Sequence, residues 1–93
     1  MDRRIRMLDR LMETVDLHGE AVPGQSIIEI LGDRRVLIEN HLGVKEYTRE
    51  HIAVGVKFGL LNVCGSCLTL THMNKEQLII SGRIDSIVLR RGK

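Results

Sequence analysis

Apolar and polar residues alternate over most of the chain beyond residue 25, with the two-residue period of a strand that buries one face. The cleanest alternation lies at 51–57, where Ile52, Val54 and Val56 are separated by Ala53 and Gly55. This pattern predicts strands at residues 26–31, 35–40, 44–48 and 51–57, followed by several more between residues 59 and 89.

Short polar or glycine-containing sequences separate the predicted strands. Gly32-Asp33 has the composition of a tight hairpin turn. The run 40–43 combines Asn and Gly, which both tolerate positive φ. Phe58-Gly59 and the polar run 74–76 are expected to close two further hairpins. The residues predicted to shape these turns are Gly32, Asn40, Gly43 and Gly59.

The stretch from Gly59 to Leu89 consists of two similar halves, each an apolar run interrupted by a glycine. The glycines are Gly65 and Gly82, and we expect the backbone to bend or bulge at both, because a residue without a Cβ allows it. The alternation also changes phase at Asp85-Ser86. That slip predicts a β-bulge or a bend at this point.

Residues 1–17 follow a helical period. Apolar residues recur there at steps of three and four, as in Ile5, Leu8 and Met12, which predicts one amphipathic helix. Residues 18–25 contain two glycines and the only proline, and are predicted to form a linker. The β domain is then expected to span residues 26–93. About seven to eight short strands with regular turns favour a small antiparallel β-sandwich, with a short β-solenoid as the alternative.

The composition removes some functions from consideration. Tyr47 and Phe58 are the only aromatic residues, so the chain lacks stacking platforms for single-stranded nucleic acid. The net charge of +2 gives only a weak electrostatic attraction to the phosphates of nucleic acids. No apolar run near the N-terminus is long enough for a signal peptide or a membrane-spanning helix, so we expect a cytoplasmic protein with reduced cysteines.

The Cys64-Gly-Ser-Cys67 motif is the main chemical candidate. A redox pair of this spacing usually sits at a helix N-terminus, but the residues that follow here alternate as a strand. A zinc site needs two more ligands, and His41, His51 and His72 are not spaced to supply them in sequence. No serine has the context of a catalytic nucleophile. We therefore expect no catalytic, cofactor or metal site, with thiol or zinc binding as a minor alternative.

Three segments resemble the YabP/YqfC family of sporulation proteins. They are Ile38-Glu39-Asn40-His41-x-Gly43-Val44, Lys57-x-Gly59-x-Leu61-x-Val63-x-Gly65-x-x-Leu68, and Leu78-x-Ile80-x-Gly82-x-Ile84-x-x-Ile87. The resemblance covers residues 24–89, and the predicted helix matches more loosely. It implies a non-enzymatic protein with a β-sandwich fold, made in the mother cell of an endospore-forming bacterium.

Residues and resemblance together predict a structural or assembly protein that contacts proteins, including other copies of itself, with a helix-swapped dimer as one form. No small-molecule substrate and no nucleic acid are expected. The alternative is a peripheral adaptor at the forespore membrane, bound through the basic N-terminal helix. The residues expected at a partner surface are Arg3, Arg4, Arg6, Arg10 and His41.

Overall fold

The computed structural model of the protein describes residues 24–92, and all regular structure in this range is β-strand. The six strands are β1 (Ile27–Leu31), β2 (Arg35–Glu39), β3 (Val44–Tyr47), β4 (His51–Val56), β5 (Gly59–Met73) and β6 (Gln77–Arg91). The predicted helix at 1–17, with its four arginines, and most of the predicted linker lie outside the described residues.

The six strands form a single sheet in the order β1-β2-β6-β5-β4-β3, and every neighbouring pair is antiparallel. Strands β3 to β6 follow one another as a meander, and the β1–β2 hairpin adds to the other side of β6. The mainly β prediction is confirmed. The solenoid alternative is wrong, because successive strands pair antiparallel within one sheet.

The predicted sandwich of seven to eight short strands differs from this arrangement in a specific way. Strands β5 and β6 each run for 15 residues and continue through Gly65 and Gly82, the glycines at which a bend or bulge was expected. Six strands therefore replace the larger number, and within residues 24–92 they belong to one sheet rather than two.

The long β5–β6 hairpin has two halves with different neighbours. In its first half, residues 59–64 of β5 pair with residues 86–91 of β6, and β4 lies on the far side of β5. In its second half, residues 69–73 pair with residues 78–81, and β2 lies on the far side of β6. Each long strand is therefore paired on both sides over only part of its length.

Backbone irregularities separate the two halves. A Cβ on Gly65 would collide with the carbonyl oxygen of Arg83, and a Cβ on Gly82, whose φ is 142°, would lie 2.6 Å from the oxygen of Cys67. The pairing steps from Cys64–Ser86 to Gly65–Ile84, so Asp85 has no partner on β5. The bulge predicted at Asp85-Ser86 is confirmed.

A single aliphatic cluster forms the core and draws on both halves of the sheet. Its fully buried members are Val36, Ile38, Ile52, Val54, Leu61, Val63, Leu68, Leu78 and Ile80, with Val56 almost as buried. Strand β4 is buried on both faces and not only on one, as its alternation suggested. The second face is covered at Gly55 by Leu42 of the β2–β3 connection and by Lys45 of β3.

Candidate functional site

Asn40, predicted as a turn residue, joins three segments of the chain. Its φ is 60°, and its side-chain amide donates a hydrogen bond to the carbonyl of Gln25 at 2.9 Å. Its own carbonyl accepts from Ser26 Oγ at 2.9 Å, and its backbone N–H donates to the carbonyl of Glu76. The side chain and backbone of Asn40 thus tie the start of β1 and the β5–β6 turn to the end of β2.

His41, predicted as a turn residue that faces a partner, makes two internal hydrogen bonds. The backbone N–H of Gly43 donates to Nδ1 at 2.9 Å, and Nε2 lies 2.9 Å from the carbonyl oxygen of Asn74. Because Nδ1 accepts, the hydrogen must be on Nε2, which then donates to Asn74. In this arrangement the ring stabilises the β2–β3 connection against the β5–β6 turn.

The two cysteines of the CxxC motif lie on either side of the bend in β5. Both thiols are free, Cys64 is half-buried, and Cys67 is exposed with a φ of 54°. His51 is the cross-strand neighbour of Cys64, but its Nε2 bonds to Asn62 Oδ1 at 2.8 Å and its Nδ1 lies 3.2 Å from Glu46. Across residues 24–92 no three His, Cys, Asp or Glu side chains are grouped closely enough to hold a metal ion.

A shallow groove lies beside Cys67 at the bend. Three arginines line it, Arg34 and Arg35 from the β1–β2 hairpin and Arg83 from β6, together with the hydroxyl groups of Ser66, Thr71 and Ser81. The groove is open to solvent and basic in character. Sequence reasoning missed it, because only the pairing of β2 with β6 brings Arg83 next to the other two.

Two of the open edges among the described strands are protected. Strand β3 has four residues, carries exposed Lys45 and Glu46, and contains an irregularity between Val44 and Glu46. Charges, bulges and short length are features that keep a strand edge from pairing with another chain. The outer side of β5 in its second half is contacted by Tyr47, whose hydroxyl accepts from the N–H of Leu70 at 3.2 Å.

The side of β6 that faces away from β5 is less protected over residues 86–91. We term this segment the β6 edge. The β1–β2 turn covers β6 as far as Ile84, whose N–H donates to the carbonyl of Asp33 at 2.8 Å. Beyond that point no strand among the described residues pairs with this side of β6. Two large apolar side chains are also exposed here, Val88 by 47% and Leu89 by 56%.

The hydrogen-bond pattern shows which backbone groups face outward from the β6 edge. Gly92 donates to the carbonyl of Phe58 at 2.9 Å. In an antiparallel pair, hydrogen-bonded residues alternate with residues whose N–H and C=O point away from the partner strand. Arg90, Val88 and Ser86 therefore bond to β5. The N–H and C=O groups of the intervening residues, Ile87, Leu89 and Arg91, face away from β5.

Comparison with known protein families gives a match to the YabP family over residues 23–93. The chain belongs to the YabP family. No curated protein and no solved structure shows significant similarity to it. The resemblance drawn from the three sequence segments is thus confirmed at the level of the family.

The segments that resemble the YabP family now have positions in the fold. The first forms the end of β2 and the Asn40–Gly43 connection, the second the β4–β5 turn and the first part of β5, and the third most of β6. The third segment ends at Ile87, inside the β6 edge. Sequence reasoning did not single out this edge, although the phase slip at Asp85 marks its beginning. In the described part of the chain, no helix has the length and apolar character needed to cross a membrane.

Proposed function

We propose that this YabP-family chain is a non-enzymatic structural protein of endospore formation, and that it acts through contacts with proteins, including other copies of itself. Membership of the family supports the role in sporulation. The observation that supports the mode of action is the β6 edge, where backbone hydrogen-bonding groups and two exposed apolar side chains lie side by side.

An open strand edge of this kind favours association for two physical reasons. An added strand would accept and donate the backbone hydrogen bonds of Ile87, Leu89 and Arg91 that otherwise go to water. The same strand would remove apolar surface of Val88 and Leu89 from water, which is favourable in proportion to the area buried. The backbone hydrogen bonds and the burial of apolar surface thus both favour association at the β6 edge.

The non-enzymatic part of the proposal is supported by what the polar side chains do. His41 and Asn40 hold connections together, and His51 bridges Glu46 and Asn62 across three strands. These contacts stabilise the framework. The proposal includes the cytoplasm of the mother cell as the location of the protein, which the family resemblance supports.

The test of this function is a count of heat-resistant spores in an endospore-forming bacterium that lacks its own copy of the gene. We expect the deletion to lower the count and the unaltered gene to restore it. Leu89→Lys, which places a charge on the β6 edge, should fail to restore it.

Met73→Lys is the matched control, because Met73 is 51% exposed, close to the value for Leu89, but lies at the other end of the long hairpin. It should restore spore formation. A normal spore count without the gene would contradict the role in sporulation, and equal failure of both variants would contradict the role of the β6 edge.

A further inference from the structure

We infer that two copies of the chain pair antiparallel along their β6 edges about a two-fold axis, with Val88 of one copy opposite Val88 of the other. This inference rests on the self-association in the proposed function and names its surface and register. The pairing would join two sheets into one continuous antiparallel sheet.

Backbone geometry restricts the possible registers. Residues directly opposite each other in an antiparallel pair either both exchange hydrogen bonds or both point away. The outward groups belong to Ile87, Leu89 and Arg91, so residues of this set must face one another across the axis. In a symmetric pair, the two-fold axis must therefore pass beside one residue, which then lies opposite its own copy. An axis midway between two neighbours would place an outward-facing residue opposite an inward-facing one. Within the apolar part of the edge, the residue at the axis can be Ile87, Val88 or Leu89.

Side-chain chemistry selects among these three. With the axis at Val88, Ile87 lies opposite Leu89 of the other copy, and the two valines face each other. The same register brings the acidic Asp85 of each copy opposite the basic Arg91 of the other. Apolar residues meet apolar residues and opposite charges meet, as favourable cross-strand pairs require.

The other two registers lack this complementarity. With the axis at Ile87, the acidic Asp85 lies opposite the apolar Leu89. With the axis at Leu89, the apolar residues Ile87 and Val88 lie opposite Arg91 and Arg90. Each of these arrangements places an apolar side chain directly opposite a charged one, so neither gives the favourable cross-strand pairs of the Val88 register.

Strand β1 is the other apolar edge of the sheet, and it is less suited to symmetric pairing. Its sequence is Ile-Ile-Glu-Ile-Leu, with Glu29 in the centre. Full overlap of two β1 strands about a two-fold axis would place Glu29 directly opposite its own copy. Like charges in that position are destabilising, so the β6 edge is the self-complementary one.

Disulfide trapping of the full-length chain tests the register. Val88 and its copy would form a pair without hydrogen bonds, with Cα atoms about 4.5 Å apart, a separation that a disulfide spans. Val88→Cys is made in a chain that also carries Cys64→Ser and Cys67→Ser. On mild oxidation we expect most of this variant to run as a covalent dimer on a non-reducing gel.

Leu89→Cys in the same background is the matched control. Leu89 is at least as exposed as Val88 and lies on the same edge, but its opposite residue is Ile87 rather than its own copy. We expect at least a five-fold lower yield of covalent dimer from this variant. Equal yields from both variants would overturn the register.

Charge reversal in the chain with its native cysteines gives a second measurement that does not depend on the serine background. Light scattering at high protein concentration should show the unaltered chain approaching twice 10.5 kDa. Asp85→Arg and Arg91→Asp should each weaken the dimer several-fold, and the two together should restore it. Failure of the double variant to recover would count against the proposed pairing.

The outcomes separate this inference from the proposed function. A dimer that forms without Val88 crosslinking overturns the register alone. A strict monomer of 10.5 kDa at high concentration overturns pairing between copies. The spore count of the deletion strain tests the role in sporulation by itself, because it does not depend on which surface the chain uses.

Discussion

At the scale of single residues, the bend between the two halves of the long hairpin depends on positions where a side chain does not fit. Gly82 combines a φ of 142° with close contact to the backbone of Cys67 and Leu68. Gly32 has a φ of 62° but open space around the position of a Cβ, and Gly92 has neither a positive φ nor a contact closer than 3.5 Å. Gly82 therefore combines backbone strain with steric conflict, Gly32 has the strain alone, and Gly92 has neither.

We expect replacement by alanine to lower the free energy of unfolding most at Gly82, less at Gly32 and least at Gly92. Gly92→Ala should change the free energy of unfolding by less than about 0.5 kcal/mol. Gly32→Ala should cost about 1 kcal/mol, because it adds only the left-handed conformation. Gly82→Ala should cost roughly 2–4 kcal/mol, because it adds a steric conflict with backbone atoms. Urea unfolding measures all three, and a neutral Gly82→Ala would show that the bend does not need glycine.

At the scale of strands and turns, features set by neighbouring residues were predictable. The polar turn at 74–76 separates β5 from β6 as predicted. The bulge at Asp85 was predictable because a bulge reverses the alternation of side chains, and that reversal is visible in the sequence alone. The β4–β5 turn was located to within one residue, since Lys57 and Phe58 form it.

Features set by distant partners were not predictable. Whether a strand ends at Gly65 or continues through it depends on the cross-strand position of Arg83, and the sequence does not specify that position. The burial of both faces of β4 depends on the path of Leu42 and Lys45. The β6 edge was missed for the same reason, because β2 leaves β6 at Ser81 and only the topology shows it.

The β6 edge leads to a prediction about hydrogen exchange. Odd-numbered residues there direct their N–H groups outward, and even-numbered residues direct them to β5. In dilute solution the amides of Ile87 and Leu89 should exchange with deuterium much faster than those of Ser86 and Val88, because exchange reports the loss of hydrogen-bond protection. Two-dimensional NMR of the labelled chain resolves these residues individually.

Raising the protein concentration provides the internal control for this exchange measurement. Pairing along the β6 edge should slow exchange at Ile87 and Leu89 and leave Ser86 and Val88 unchanged. Uniform protection of all four amides at low concentration would show that this side of β6 is already covered within one chain.

At the scale of the whole molecule, the described residues contain a hydrophobic core of buried aliphatic side chains. Its ten buried aliphatic residues lie between Val36 and Ile80, and both halves of the sheet contribute to it. Ser26 connects three strands, because its Oγ, just before β1, accepts a hydrogen bond from the N–H of Lys57 after β4 at 3.0 Å and donates to the carbonyl of Asn40 after β2. Ser26 is itself buried.

This arrangement predicts that a chain beginning at residue 23 folds on its own. We expect cooperative thermal unfolding with a midpoint within about 8 °C of the full-length chain, which corresponds to about 1 kcal/mol for a domain of this size. A chain beginning at residue 33 is the control, since it loses β1 and Ser26 and leaves the N–H of Lys57 without its hydrogen-bond acceptor. That shorter chain should lose cooperative unfolding, as followed by circular dichroism. If the chain beginning at residue 23 were also unfolded, residues 1–22 would have to supply part of the stabilisation, and the core formed between Val36 and Ile80 would be insufficient by itself.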